Sequence, residues 1–576
     1  MIYRKIEQEL QLAVSGIVSD ANLESIQIRP CPDPKFGDYQ TSALMAIAKM
    51  RGENPRQFAQ EVAAKLDVRQ WCDKVEVAGP GFLNFTLKMS AVESMVGSAM
   101  RGEHLFFQKA GHPRTVVLDF SSPNVAKPMH VGHIRSTILG DSLARTLRLL
   151  GHRVIADNHI GDWGTQFGKL IVGWKQHLDR AALDADPIAE MERLYRLVNT
   201  ACENDAAVLE QARQELVRLQ SGDPENLAIW REMIALSQVQ FDAIYGRLGI
   251  RFDYTYGESH YNPRLKAVVE ELTGKGLARE SEGAMVVFFD DVPELRNHPA
   301  MVQKSDGAFN YMTTDLATLD FRLETWQPQE VIYVTDARQQ LHFRQLFTIF
   351  MRWHPEAKVK LAHVWFGSIL GEDGKPFKTR SGDTIKLADL LDEAEERALQ
   401  VVSSKNPDLP ESTRREIARV VGLGAVKYAD LLPNRQSDYV FSWEKMLALS
   451  GNTAPYLQYA YARVRSIFRK GGLDTGVEMP AQPGGIRLRE PEELRLAKHL
   501  LNFGFVLGTV AEEYRPNYLC NYLYELAGIF ANFYEKCPVL RSEPPARATR
   551  LALCDLTARV MNQGLDVLGI ETLEKM

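Results

Sequence analysis

The chain has 576 residues, enough for several domains. Its 45% hydrophobic and 25% charged content fits a soluble globular protein with buried cores and excludes an intrinsically disordered chain. A net charge of −6 supplies no global basic field, so any contact with nucleic acid must rest on local patches. The start, MIYRKIEQELQLAVSG, lacks the long apolar core of a secretory signal, and no run of about 18 apolar residues predicts a membrane span. Six scattered cysteines form no CxxC pair, which argues against a zinc ribbon or disulfide framework and fits a reducing cytoplasm.

Residues 1–108 read as a small α+β unit. Helical spacing covers residues 3–17 and 54–66, and apolar alternation marks 75–77 and 82–87 on either side of Gly79-Pro80-Gly81. A linker around Gly111-His112-Pro113 leads into a β-rich run at 115–120. Then come SSPNVAKPMHVGH, apolar residues at helical spacing as far as Leu150, a stop at Gly151 and a second strand at 153–157. This is a βαβ unit with a motif where the first strand hands over to its helix, the place where open α/β sheets bind nucleotides. The free N–H groups and dipole of the helix favour phosphate there. His130 and His133, spaced i, i+3, share a face and can donate to oxygens that gain charge. Gly132 between them leaves room for a flat ring against the backbone. An isolated HxxH pair serves equally as a cap or as core. Strand, loop Lys127 and helix in register point instead to a phosphate site.

Residues 172–248, rich in Leu, Ala, Glu and Arg, read as a helical insertion. Strand-like runs resume at 284–289, 330–334 and 359–366, which predicts a parallel sheet split by that insertion. Tyr311 and Asp315, at i, i+4, share a face if helical. The loop GEDGKPFKTRSG at 371–382 packs three glycines with Lys375, Lys378 and Arg380 between a strand and a helix. After Gly382 the pattern is helical almost to the end: 388–401, 411–429, 443–449 and 455–470, then a Pro/Gly-rich break at 471–485 before the final helices. Tyr456, Tyr459, Tyr461, Arg463, Arg465 and Arg469 crowd one of these helices. Such rings and cations stack on unpaired bases and meet phosphate, or they belong to an all-α core.

The run SSPNVAKPMHVGHIRSTILGDSLARTLRLLGH followed by NHIGDWGTQFG resembles the signature region of class I aminoacyl-tRNA synthetases, and within them the arginyl-tRNA synthetase family. The resemblance extends from the N-terminus to Met576. It implies an α/β Rossmann-type catalytic domain with a parallel sheet, an N-terminal α+β add-on domain and a C-terminal all-α anticodon-binding bundle. The expected bounds are 1–108 for the add-on domain at the tRNA elbow, 113–390 for the catalytic domain, 391–450 for a helical connector and 451–576 for the anticodon domain.

The activity implied is arginine activation by ATP, then transfer of the arginyl group to the terminal ribose of tRNA(Arg), with release of pyrophosphate and AMP. The loop at 378–381 is similar to the family's KMSKS motif but lacks its second lysine; Lys127 occupies the place thought to compensate. By the same resemblance His130, His133, Lys127, Lys378 and Arg380 are catalytic, and His130, Gly132, His133, Lys375, Lys378 and Thr379 hold ATP. Ser122, Asn124, His133, Glu258, Tyr311, Asp315 and Gln339 receive arginine, with the choice between Gln339 and Gln340 open. A guanidinium with five donors calls for such carboxylates. Trp163 and Gln166 either shape the floor of the site or pack as core. Phe82, Asn84, Tyr456, Arg463 and Met576 match tRNA contacts. Mg²⁺ is expected to arrive with the ATP phosphates, with no metal site of the protein's own. The resemblance further implies a cytoplasmic monomer without membrane contact whose activation step needs bound tRNA. Two rivals are a small-molecule nucleotidyltransferase, which has no use for several hundred further residues, and a degenerate synthetase that only binds RNA, which has no use for an intact HVGH or the Tyr311/Asp315 pair.

Overall fold

The computed structural model describes residues 1–377, 384–473 and 485–576. The chain folds into two compact units, one built from Met1–Ala110, Ala448–Val567 and Glu571–Met576, the other from Gly111–Leu447 and Leu568–Ile570.

In the first unit, β1 (Arg29–Pro30), β2 (Tyr39–Thr41), β3 (Cys72–Ala78) and β4 (Phe82–Leu87) form an antiparallel sheet in the order β1-β2-β4-β3. The Gly79-Pro80-Gly81 turn joins β3 to β4 in register Ala78↔Phe82. Alternation along β4 buries Leu83, Phe85 and Leu87, while Phe82 and Thr86 stay half-exposed. Helix Pro55–Lys65 starts where Asn54 accepts the N–H groups of Arg56 and Gln57, with proline at the first turn. Helices Ile2–Ser15, Ala43–Arg51 and Met89–Met100 pack in the N-terminal part, and the C-terminal part adds Ala454–Lys470, Pro491–Leu501, Phe503–Glu513, Asn517–Lys536 and Pro544–Val567. Both ends of the chain meet here. The Tyr39 hydroxyl donates to Asn502 Oδ1 at 3.0 Å, and Lys498 pairs with Asp38 at 2.8 Å.

The second unit holds β5 (Thr115–Asp119), β6 (Arg153–Asn158), β7 (Tyr254–Thr255), β8 (Ala278–Ser281), β9 (Ala284–Val287), β10 (Ala300–Gln303), β11 (Glu330–Tyr333), β12 (Lys360–His363), β13 (Ile369–Leu370) and β14 (Tyr439–Val440). Five of them make a parallel sheet in the order β12-β11-β5-β6-β7. The chain leaves β5 in one direction and returns to pair β11 on its other side, so the strand order reverses at β5/β11. That reversal opens a crevice at the carboxyl ends of these strands. Val116, Val117 and Leu118 are fully buried, as a two-sided sheet demands. The insertion between β6 and β7 is all helical: Gln166–His177, Arg180–Ala185, Pro187–Asn204, Ala206–Gln220 and Pro224–Leu248.

Two expectations need correction. The run at 284–289 is not in the parallel sheet; β9 pairs antiparallel with β8 and β10 in a separate three-stranded sheet. The cause is a tight hairpin at Glu282 and Gly283, both at positive φ (52° and 79°), which reverses the chain at once. The helix expected at 443–449 is one turn, Trp443–Met446, and helicity restarts only at the Thr453 cap, whose side chain accepts the Tyr456 N–H.

Candidate active site

The loop from β5 ends on the helix Val131–Leu149, for which His130 is the N-cap. His130 Nδ1 accepts the N–H of Gly132 and His133 Nδ1 accepts the N–H of His130, each at 3.0 Å. The two rings lie 4.0 Å apart. With both Nδ1 atoms accepting, a neutral ring carries its proton on Nε2, so each histidine offers an Nε2–H donor. Neutrality is enforced. Burial, then nearby Lys127, lowers the pKa of His130, and burial with His130 alongside pushes His133 down to about 3. Gly132 is required by its neighbour, since a Cβ there would lie 2.8 Å from the His130 ring. Gly161 is required likewise: its Cβ would meet Asn124 Oδ1 at 2.1 Å.

Ser122 caps the first strand's end. Its hydroxyl donates to Asp119 at 3.0 Å and its N–H to Asn158 Oδ1 at 3.1 Å. Asn124 forms a bridge with Gly161 and is exposed. Lys127 is exposed, with its ammonium 5.3 Å from the centre of the Tyr195 ring. Beneath this loop, the fully buried Arg322 holds Asp119 at 2.6 Å and Asp157 at 2.8 Å, tying β5 and β6 to helix Tyr311–Trp326.

That helix presents Tyr311 and Asp315 as the spacing predicts. Tyr311 is 72% exposed, and Asp315 Oδ2 lies 2.5 Å from His342 Nε2. Glu258 opens the short helix Glu258–Tyr261. Burial, then Asp315 and Asp162, raises its pKa to about 8. The pKa of Tyr311 is raised by burial, then by Glu258 and Asp315. Burial and the Asp315 charge disfavour ionisation of Glu258, and such a carboxyl environment favours a cation. Gln339 closes the 3₁₀ turn Ala337–Gln339 and is exposed, whereas Gln340 is half-buried. Trp163 packs edge-on against Trp230 at 5.6 Å, both rings half-buried.

Lys375 lies in the turn that follows β13, its N–H donated to Asp373 at 3.1 Å. Lys378, Thr379 and Arg380 lie outside the described residues. The segment flanking them is anchored on the histidine motif: the Val131 N–H donates to the Ile385 carbonyl and the Leu387 N–H to the Met129 carbonyl, both at 2.9 Å.

Of the residues expected at RNA, Phe82 is half-buried, but Asn84 is only 5% exposed, because it sits in the middle of the sheet between Gln40 and Glu76. Phe82 is therefore the accessible member of that pair. Tyr456 packs edge-on with Tyr524 at 5.6 Å, and exposed Arg463 lies 5.5 Å from the Tyr534 ring. Tyr461 is buried core, and Arg465 is held by Glu574 at 2.9 Å, so neither belongs to a free face. Met576 is half-buried.

His342, Asn158 and Arg322 escaped the sequence reading because each joins the site through a partner distant in the chain; Asp119, three residues before Ser122, escaped it as an ordinary strand-end residue. Among the described residues no cluster of three or more His, Cys, Asp or Glu side chains is placed to hold a metal.

Residues 95–443 match the family model of the catalytic domain of class I (R) tRNA synthetases, 457–576 the DALR anticodon binding domain, and 2–87 the arginyl tRNA synthetase N-terminal domain. An arginine–tRNA ligase of Citrobacter koseri is 47% identical over 583 residues, covering 100% of this chain and 99% of its own. One from Klebsiella pneumoniae is 47% identical over 558 residues, 96% of each chain. Among solved structures, the arginyl-tRNA synthetase of Thermus thermophilus superimposes with a TM-score of 0.85 at 26% identity, covering 100% of both chains. That of Plasmodium falciparum gives 0.84 at 28% identity, covering 100% of this chain and 99% of its own.

Proposed function

The chain belongs to the arginyl-tRNA synthetase family, and from that premise we propose which of its residues carry out the arginine–tRNA ligase reaction. The reaction couples arginine to tRNA(Arg) at the expense of ATP. In the first step the arginine carboxylate attacks the α-phosphorus of ATP; an O–P bond forms and pyrophosphate leaves. Little covalent work falls to the protein, and rate comes from positioning and from donors aimed at oxygens that gain charge. The Nε2–H groups of His130 and His133 are such donors. Because both rings are held neutral, they donate without drawing the protonated state into the mechanism. Lys127 approaches the phosphates from the β5 loop, Lys375 adds a second cation, and Lys378, Thr379 and Arg380 are assigned to ATP by their match to the family motif. Mg²⁺ enters as part of the ATP substrate.

Arginine lies with its α-amino end toward Ser122, Asn124 and His133, and its guanidinium between Glu258, Asp315 and Tyr311, with Gln339 beside them. In the second step a hydroxyl of the terminal ribose attacks the adenylate carbonyl and AMP departs. Residues 1–108 serve the tRNA elbow through Phe82, 113–390 the chemistry, 391–450 as connector, and 451–576 the anticodon loop through Tyr456, Arg463 and Met576. A monomer working in the cytoplasm completes the reading; six unpaired cysteines favour a reducing compartment. No helix among the described residues is long and apolar enough to cross a membrane.

What supports the residue assignment most is the nearness of Glu258, Asp315 and Tyr311, whose ionisation burial and the neighbouring carboxyls disfavour, an environment that suits a cationic side chain. Arginine and lysine titrated against the wild type and Glu258→Gln test it. Arginine binds the wild type at least about tenfold better than the variant; equal binding by both places the pocket elsewhere.

A further inference from the structure

The loop between β5 and helix Val131–Leu149 is strained. Ser121, Ser122 and Ala126 are not glycine, yet stand at φ 74°, 49° and 61°. Such backbone persists only where its surroundings over-determine it. Two of the three are gripped by one helix of the insertion, Pro224–Leu248. Ser237, fully buried, accepts the Ala126 N–H at 3.0 Å while its own proton goes to the Met233 carbonyl at 2.8 Å, which fixes the direction of its acceptor. About two turns further on, the Tyr245 hydroxyl accepts from Asn158 Nδ2 at 3.2 Å and shares a hydrogen bond with Ser121 Oγ at 2.8 Å. Asn158 in turn accepts the Ser122 N–H. The neighbouring helix, Pro187–Asn204, supplies Tyr195, whose ring faces the Lys127 ammonium.

We propose that Ser237 and Tyr245 are positioning residues: the insertion helix clamps the strained loop so that Lys127 meets the ATP phosphates and Ser122 the α-amino end of arginine. The inference rests on the reading that Lys127 acts on ATP. Each residue holds one end of the loop, so their effects separate. Ser237 lies next to Lys127 through Ala126 and governs turnover. Tyr245 lies under Ser121 and Ser122 and governs arginine.

The test uses the full-length enzyme with saturating tRNA, following steady-state arginylation over a range of arginine concentrations. Ser237→Ala and Tyr245→Phe each remove one hydroxyl. Asn226→Ala is the control: it is fully buried on the same helix but is bonded to Glu215, away from the loop. Ser237→Ala lowers kcat about tenfold with the arginine KM within about twofold, since small misplacements of a reacting group cost large factors. Tyr245→Phe raises the arginine KM about fivefold. Asn226→Ala lowers the melting temperature as much as either and leaves kcat unchanged. If Ser237→Ala and Tyr245→Phe behave like that control while Lys127→Ala loses turnover, the clamp is overturned and the role of Lys127 stands. If Lys127→Ala turns over normally, the role of Lys127 falls and takes the clamp's route through it.

Discussion

On the proposed assignment, Glu258 gives arginine binding a pH dependence with a definite sign. Its carboxyl is neutral below about 8, because burial and the neighbouring Asp315 and Asp162 disfavour its charge. A guanidinium favours the ionised form, so binding arginine below that pH releases a proton. The arginine KM therefore falls as pH rises from 6 to 8, by up to about tenfold per unit. In Glu258→Gln the slope vanishes and the KM stays high throughout; a flat profile in the wild type contradicts the assignment. Asp315→Asn raises the arginine KM by about ten- to a hundredfold, the value of a desolvated charge-assisted hydrogen bond, and leaves ATP nearly untouched. An equal loss for both substrates moves the guanidinium elsewhere. His130→Ala and His133→Ala each cut arginylation at least about a hundredfold, roughly 2.7 kcal/mol of transition-state stabilisation, without unfolding the chain. With the His133 pKa near 3, its contribution does not titrate around pH 6.5. His130 and His133 were legible because a four-residue motif carries both. Glu258 and Asp315 were proposed through the family pattern, and the structure brings them near enough for the Asp315 charge to act on Glu258. His342 was not, because its partner Asp315 lies 27 positions away.

The secondary-structure elements were legible where their periodicity was long. The strand at 115–119, the helix after His130 and the strand at 153–158 stand where apolar spacing puts them. The short strands β1, β2 and β7 span two or three residues each, too few to show alternation. Helix Ala454–Lys470 shows the limit of reading a face from spacing alone. Its tyrosines divide: Tyr461 is buried, Tyr459 is 50% exposed, and Tyr456 lies between. The double variant Tyr456→Ala with Arg463→Ala therefore weakens tRNA by about 1–3 kcal/mol per stacked base lost, with the affinity for ATP unchanged. Tyr461→Ala instead costs about 3 kcal/mol of stability through the cavity it leaves. Filter binding and thermal unfolding separate the two. Unchanged tRNA affinity and salt dependence in the double variant make this helix plain bundle core.

At the scale of the molecule, the sequence divides into contiguous segments, whereas the fold gathers the first 110 residues with those after 448 into one unit. Nothing in local spacing announces contacts such as Asp38 with Lys498 or Glu93 with Arg487, each across some four hundred positions. Removing 451–576 therefore strips the N-terminal sheet of its packing partner, and such a truncation unfolds at lower temperature over residues 1–110; hydrogen exchange along that segment reports it. The central claim is that one chain reads arginine by its guanidinium and passes it through ATP to tRNA. The most direct measurement is the charging of a tRNA(Arg) transcript by the purified chain, with labelled arginine or lysine, with and without ATP. The account predicts stoichiometric charging with arginine, none without ATP, and at least about a thousandfold discrimination against lysine, which cannot satisfy a pocket shaped for a fork of donors. No charging, or lysine attached as readily as arginine, contradicts it.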